Sequence, residues 1–127
     1  TASLVFVTKQ AMIKVVDGAE FVVSKRTTAA TKLAENDEVL AVQILGENNT
    51  LVMCSGKDMF LRIDCAQIPQ KKKTAVGVRG MRLSADDLLK QVFVLGENAN
   101  EEVEVRGKKI SLGRLRIGNR DTKGVKK

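Results

Sequence analysis

The chain has 127 residues, a length for one domain or part of one, and 43% of them are hydrophobic, enough for a real core. Only 3% are aromatic, and there is no Trp, Tyr or His, which excludes Ser-His-Asp and Cys-His catalysis, histidine metal ligation and a tyrosine nucleophile. The net charge of +7 is unevenly spread: residues 1–105 hold thirteen Lys/Arg against fourteen Asp/Glu, whereas residues 106–127 hold nine against Asp121 alone.

In chain order, LVFVT at 4–8 and MIKV at 12–15, short apolar runs with one basic residue in the second, read as two strands. The basic stretch SKRTTA follows at 24–29, then KLAENDEVLAVQILGENN at 32–49, a turn entering an apolar strand and a Gly-Glu-Asn exit turn. The same series then returns. LVMCS at 51–55 matches LVFVT, and FLRI at 60–63 matches MIKV, which pairs Lys14 with Arg62. KKKTAV at 71–76 matches SKRTTA, and RLSADDLLKQVFVLGENA at 82–99 matches 32–49. The second copy reads as carrying an insertion around Gly77–Gly80. A third opens at Glu102–Val105 and Lys109–Leu112, followed by RLRI at 114–117. No period of 3.6 is sustained. Ser84–Leu89 has a helix-start composition, but its counterpart from Ala34 reads as a turn into a strand, and both are taken as strands.

Repeats of about fifty residues with some four strands each have the size of propeller blades, which bury their apolar faces only by stacking. The expectation is an all-β, propeller-like domain with two full repeats and a partial third, spanning approximately 1–49, 50–100 and 101–127. Too few blades are present to close a ring, and the chain opens in mid-strand without Met, so it reads as a piece of a longer protein. It carries no signal-peptide pattern and no apolar run long enough to cross a bilayer, and is expected to be soluble and intracellular. Cys54 and Cys65, inside alternating segments, read as buried reduced thiols, and two cysteines without histidine make no zinc site. The acidic pairs Asp37-Glu38, Asp86-Asp87 and Glu101-Glu102 fall at turns or strand starts, where solvated charge is the ordinary reading. No catalytic, metal or cofactor site is expected.

The order of these motifs, met twice, resembles the C-terminal domain of the bacterial DNA gyrase A protein and that of its homologue in topoisomerase IV. The resemblance rests on T-x-Q-x-M-I-K-V at Thr8–Val15, K-L-A-E-N-D-E-V at Lys32–Val39, V-G-V-R-G-M-R-L at Val76–Leu83 and the tail from Arg114 to Lys127. It implies a β-pinwheel, a wheel whose blades exchange strands, with a basic rim that binds and bends duplex DNA. It also implies a parent type II topoisomerase that is ATP-hydrolysing, bacterial, cytoplasmic and nucleoid-associated. That parent would have an A-subunit dimer, a B-type ATPase partner and its cleavage tyrosine in another domain. The chain departs from the family at the gyrase box, which has Gln, two basic residues, two glycines, a basic residue and glycine. Gln70–Gly77 keeps the Gln and two basic residues but lacks the Gly-Gly pair, and its last glycine is displaced, so the resemblance implies DNA binding more firmly than full wrapping.

Patches of Lys and Arg at repeated intervals are what sequence-tolerant phosphate binding requires. Lys25 and Arg26 with their counterparts Lys72 and Lys73, and Lys32 with Arg82, are the leading candidates. Lys71, Arg79, Arg114, Arg116, Arg120 and Lys123 complete the set. Lys14 and Arg62, inside strands, read as either phosphate contacts or solvent-facing strand charges. Base stacking on single strands is disfavoured without Trp or Tyr. Two alternatives are a propeller-like protein-interaction scaffold and a structured-RNA binder.

Overall fold

A computed structural model describes residues 3–18, 36–72, 75–97 and 99–127. The strands are β1 (Ser3–Thr8), β2 (Met12–Asp17), β3 (Val39–Leu45), β4 (Thr50–Ser55), β5 (Met59–Asp64), β6 (Val78–Arg79), β7 (Leu89–Leu95), β8 (Glu102–Val105), β9 (Lys108–Ser111), β10 (Ile117–Gly118) and β11 (Val125–Lys126). No α-helix occurs among the described residues, and none is long and apolar enough to cross a membrane. Ser84–Asp87 is a single turn leading into β7.

The hairpins follow from turn chemistry. In the first, the Thr8 hydroxyl accepts from Met12 N at 3.0 Å and Ala11 takes φ 66°. In the second, the Ser55 hydroxyl accepts from Met59 N at 3.2 Å and Asp58 takes φ 63°. Both are three-residue loops with their last residue in the left-handed region. The third hairpin, β8–β9, instead turns through Arg106 (φ 49°) and Gly107 (φ 81°), a two-residue loop with both residues at positive φ.

Two of the acidic pairs have a structural role that their composition did not reveal. Asp37 and Asp87 are buried rather than solvated. Asp37 Oδ1 accepts from Gln10 N at 3.0 Å, at the tip of the first hairpin, and Asp87 Oδ1 accepts from Lys57 N at 3.2 Å, at the tip of the second. Each carboxylate also accepts from the N–H of the next residue. Hairpin amides with no ladder partner need an acceptor, and an aspartate entering the edge strand supplies it. Asp86, Glu101 and Glu102 are exposed as expected.

The sheets are built across the repeats. The first has the order β3-β1-β2-β6, so its last strand comes from the second copy of the motif series. The second has the order β7-β4-β5-β10, with β11 also on β5, and these last strands come from the third copy. The third described sheet is β8-β9. Each exchanged segment meets its host strand twice. Gln70 bridges Val15 in parallel, the chain bulges away, and β6 returns antiparallel against Met12 and Ile13. Likewise β10 pairs in parallel with Arg62 and Ile63, and β11 returns against Met59 and Phe60.

Alternation divides the apolar side chains between two cores. Val5, Val7, Ile13 and Val15 of the first sheet pack against Leu51, Met53, Leu61 and Ile63 of the second. The other face of the second sheet, Val52, Cys54 and Phe60, packs with Val105 and Leu112 of the third repeat. Each fully buried Leu, Ile or Met contributes roughly 1.5–3 kcal/mol. A blade alone would leave one such face wet, which is why the sheets stack.

The register corrects one equivalence. Ser3 opposes Asp17 and Thr50 opposes Asp64, so the second hairpin repeats the first 47 residues on. Lys14 therefore corresponds to Leu61, and Arg62 to Val15. The match of MIKV to FLRI is one residue out of register, and a slip of one reverses the face. The edge strands follow at a separation of 50, with Val39 opposite Thr8 and Leu89 opposite Ser55. The first-copy counterpart of the expected insertion lies outside the described residues.

Candidate nucleic-acid interface

The exchanged segments occupy the same sheet edge in both blades, opposite β3 and β7. Cations concentrate along this edge. Lys71 and Lys72 are exposed where the first segment leaves Gln70, and Arg79 lies exposed on β6. Arg82 is exposed just beyond. In the second segment Arg114 closes a 3-10 turn (Leu112–Arg114), Arg116 precedes β10 and Lys123 precedes the return strand, all three exposed. Lys25, Arg26, Lys32 and Lys73 lie outside the described residues.

Backbone hydrogen bonds join the two segments. Arg82 N donates to Thr122 O at 2.9 Å, and Asp121 N donates to Gly80 O at 2.9 Å. Arg120 is half-buried at this junction: its guanidinium donates to Arg79 O at 2.9 Å, and its own N–H donates to Gln67 Oε1 at 2.8 Å. The cationic edge thus runs from one blade to the next as bonded backbone. Asp121 sits within it, its Oδ1 3.7 Å from both Arg79 Nη1 and Arg82 Nε.

Two hollows open on this edge. A cleft of about 550 Å³ is bordered by Arg62, Arg114, Arg116, Lys123 and Lys127 over Phe60, Leu61 and Leu115. A second, of about 390 Å³, lies between the blades, with Lys57, Arg82, Lys123 and Lys126 around Met59, Met81 and Leu83. Lys126 and Lys127 were not among the sequence candidates. Gly124-Val125-Lys126 repeats Gly77-Val78-Arg79, and that short match was the signal available.

Lys14 is not a solvent-facing charge, and Arg62 is only partly exposed, at the border of the first cleft. Lys14 is 2% exposed, with Nζ 5.5 Å from the centre of the Phe6 ring, and donates to Lys72 O at 3.3 Å and Ala75 O at 2.5 Å. Arg62 Nη1 donates to Gly113 O at 2.9 Å and Leu115 O at 3.1 Å, and Nε donates to Thr50 Oγ1 at 3.0 Å.

The cysteines are unpaired, and burial pushes the Cys54 thiol up to about 11 and the Cys65 thiol up to about 12. Neither is a thiolate nucleophile at neutral pH. Phe6 and Phe60 are buried, so neither offers a stacking face.

The family model described as "DNA gyrase C-terminal domain, beta-propeller" matches residues 2–45, 49–95 and 106–126. The chain belongs to this family. It is 28% identical over 129 residues to the DNA gyrase A protein of Staphylococcus epidermidis, covering 97% of this chain and 14% of that protein. The crystal structure of the C-terminal domain of DNA topoisomerase IV matches with a TM-score of 0.87 at 22% identity, over 98% of this chain and 40% of that one. A DNA gyrase A C-terminal domain matches at 0.80 and 20% identity, over 98% of this chain and 42% of that one. The chain thus spans about one seventh of the curated relative's length. The exchange of strands between blades is the β-pinwheel arrangement expected from the family resemblance.

Proposed function

We propose that this domain binds duplex DNA through the edge formed by its exchanged segments and bends it along the row of blades. It does so as part of the C-terminal domain of a type II topoisomerase A subunit. The observation that carries this reading is the bonded continuity of the cationic edge across two blades, from Lys71 to Lys127. Phosphates need no base-specific partner, only cations fixed at intervals, and their neutralisation releases counterions. Bending a few turns of duplex costs on the order of 1–6 kcal/mol, which a continuous arc of contacts offsets.

In this reading the chain has no catalytic residue. It serves a parent enzyme that changes DNA topology with ATP, with an A-subunit dimer, a B-type ATPase partner and a tyrosine elsewhere that cleaves DNA. The parent works in the bacterial cytoplasm, on the nucleoid.

The test is titration of a labelled random-sequence duplex across a salt series, with structured RNA as competitor. The variant Lys72→Glu, Arg116→Glu, Lys123→Glu, Lys126→Glu is compared after its fold is checked by circular dichroism. Salt-steep duplex binding, lost in the folded variant, is expected. No binding by the wild type at low salt overturns the reading and favours a protein partner; preference for RNA redirects it.

A further inference from the structure

The register leaves two cations unexplained by the fold. Lys14 stands where the second hairpin has Leu61, and Arg62 where the first has Val15, both buried hydrocarbons. The blade architecture is therefore satisfied by an apolar side chain at either position. A cation withdrawn from solvent, fully for Lys14 and partly for Arg62, is tolerated only when its donors are occupied, and here the acceptors form a pattern. Lys14 holds the carbonyls of Lys72 and Ala75; Arg62 holds those of Gly113 and Leu115, on either side of Arg114. Lys72 and Ala75 belong to the first exchanged segment, and Gly113 and Leu115 to the stretch that leads into the second. They lie 51 to 61 residues further along the chain, within or beside the cationic stretches. The two cations reach them from opposite faces of their sheets, one register step apart, so no inherited strand position accounts for both.

We infer that Lys14 and Arg62 are positioning residues for duplex binding: each fixes the backbone of a cationic segment from beneath and adds a positive charge behind the phosphate-facing surface. The inference rests on the DNA reading above. Lys72 and Ala75 lie between the two short pairings of the first segment, and Gly113 and Leu115 lie just before the second segment meets its host strand at β10; in both places one cation supplies a donor group to two carbonyls outside the strands. The buried Lys14 charge is screened less by salt than one on the rim, and the partly buried Arg62 less than a fully exposed one, so each raises the potential over its segment.

The test compares the wild type with Lys14→Met and Arg62→Met by duplex titration over a salt series, each variant first melted to locate conditions where it is folded. Affinity at fixed salt is expected to fall roughly five- to twentyfold, while the slope of log affinity against log salt stays at the wild-type value because no phosphate contact is lost. In the control Arg116→Ala, the slope should shrink by about one. Lys14→Arg and Arg62→Lys, which keep a charged donor, should restore most of the affinity. If the Met variants do not fold, Lys14→Gln and Arg62→Gln take their place, with a smaller loss and the same unchanged slope. Wild-type affinity in folded neutral variants, or a slope reduced as in the control, overturns the inference. A wild type that does not bind duplex at all instead sinks the DNA reading.

Discussion

The two exchanged segments, 70–79 on the first sheet and 117–126 on the second, follow one backbone path with different side chains. Both begin in parallel contact with the host strand, bulge, and return antiparallel through Gly-Val and a cation. Gly77 at φ 103° would place a Cβ 2.6 Å from Ile13 O, and Gly124 at φ 75° would place one 2.3 Å from Phe60 O. Those two positions admit no side chain. Between parallel contact and glycine the chemistry diverges: Lys71 and Lys72 begin one bulge, whereas Asn119, Arg120 and Asp121 begin the other. The path is set by backbone contact with the host strand, and the charge that it displays is free to vary.

The largest effect should come from breaking the shared path. Gly124→Ala and Gly77→Ala are each expected to cost about 2–4 kcal/mol, combining left-handed strain with a backbone clash. Gly107→Ala, at φ 81° with nothing within 4 Å of a new Cβ, is the control and should cost about 1 kcal/mol. Urea denaturation gives all three, and equal costs would refute the close approach as the cause.

Next come the aspartates that cap the two hairpins. Asp37→Ala and Asp87→Ala each leave two backbone N–H groups without their acceptor and should cost about 1–3 kcal/mol, similar in both blades. A large loss in one and none in the other would break the equivalence of the hairpins.

Asp121 sharpens the difference between the bulges: it pairs with Arg79 and Arg82 and, in the proposed DNA reading, would compete with phosphate for them. Asp121→Asn should tighten duplex binding roughly two- to fivefold, the scale of an exposed ion pair. Weaker binding would mean that Asp121 serves to hold the arginines in place.

The smallest effect concerns Asp58, whose place in the first hairpin is taken by Ala11. The Lys90 ammonium, 2.6 Å away, holds its carboxyl below the usual carboxylate range and is itself shifted up, with Arg106 3.7 Å off on the other oxygen. A carboxyl depressed in the folded state stabilises above its unfolded value, and that contribution is lost as pH falls through the folded one. Acid melting curves should therefore show a small step that Asp58→Ala removes; a step that persists in the variant assigns it to another carboxylate.

The repeat, the all-β class and most strand positions were legible because they are local: LVFVT and LVMCS are short apolar runs within five residues, and Thr8 and Ser55 mark their turns in place. The cationic character of the edge was legible from Lys71, Arg114 and Arg116 for the same reason. The register was not, because MIKV and FLRI look alike at a one-residue slip, and only pairing with Phe6 and Val52 decides which way Lys14 and Arg62 face. Nor was the junction of Arg82 with Thr122, or the burial of Asp37 and Asp87. Periodicity and turn chemistry are properties of consecutive residues and survive reading one at a time. Which segment completes which sheet, and which cation lies beneath it, is decided by contacts across dozens of residues, where the backbone's demand for partners outweighs what any short stretch prefers.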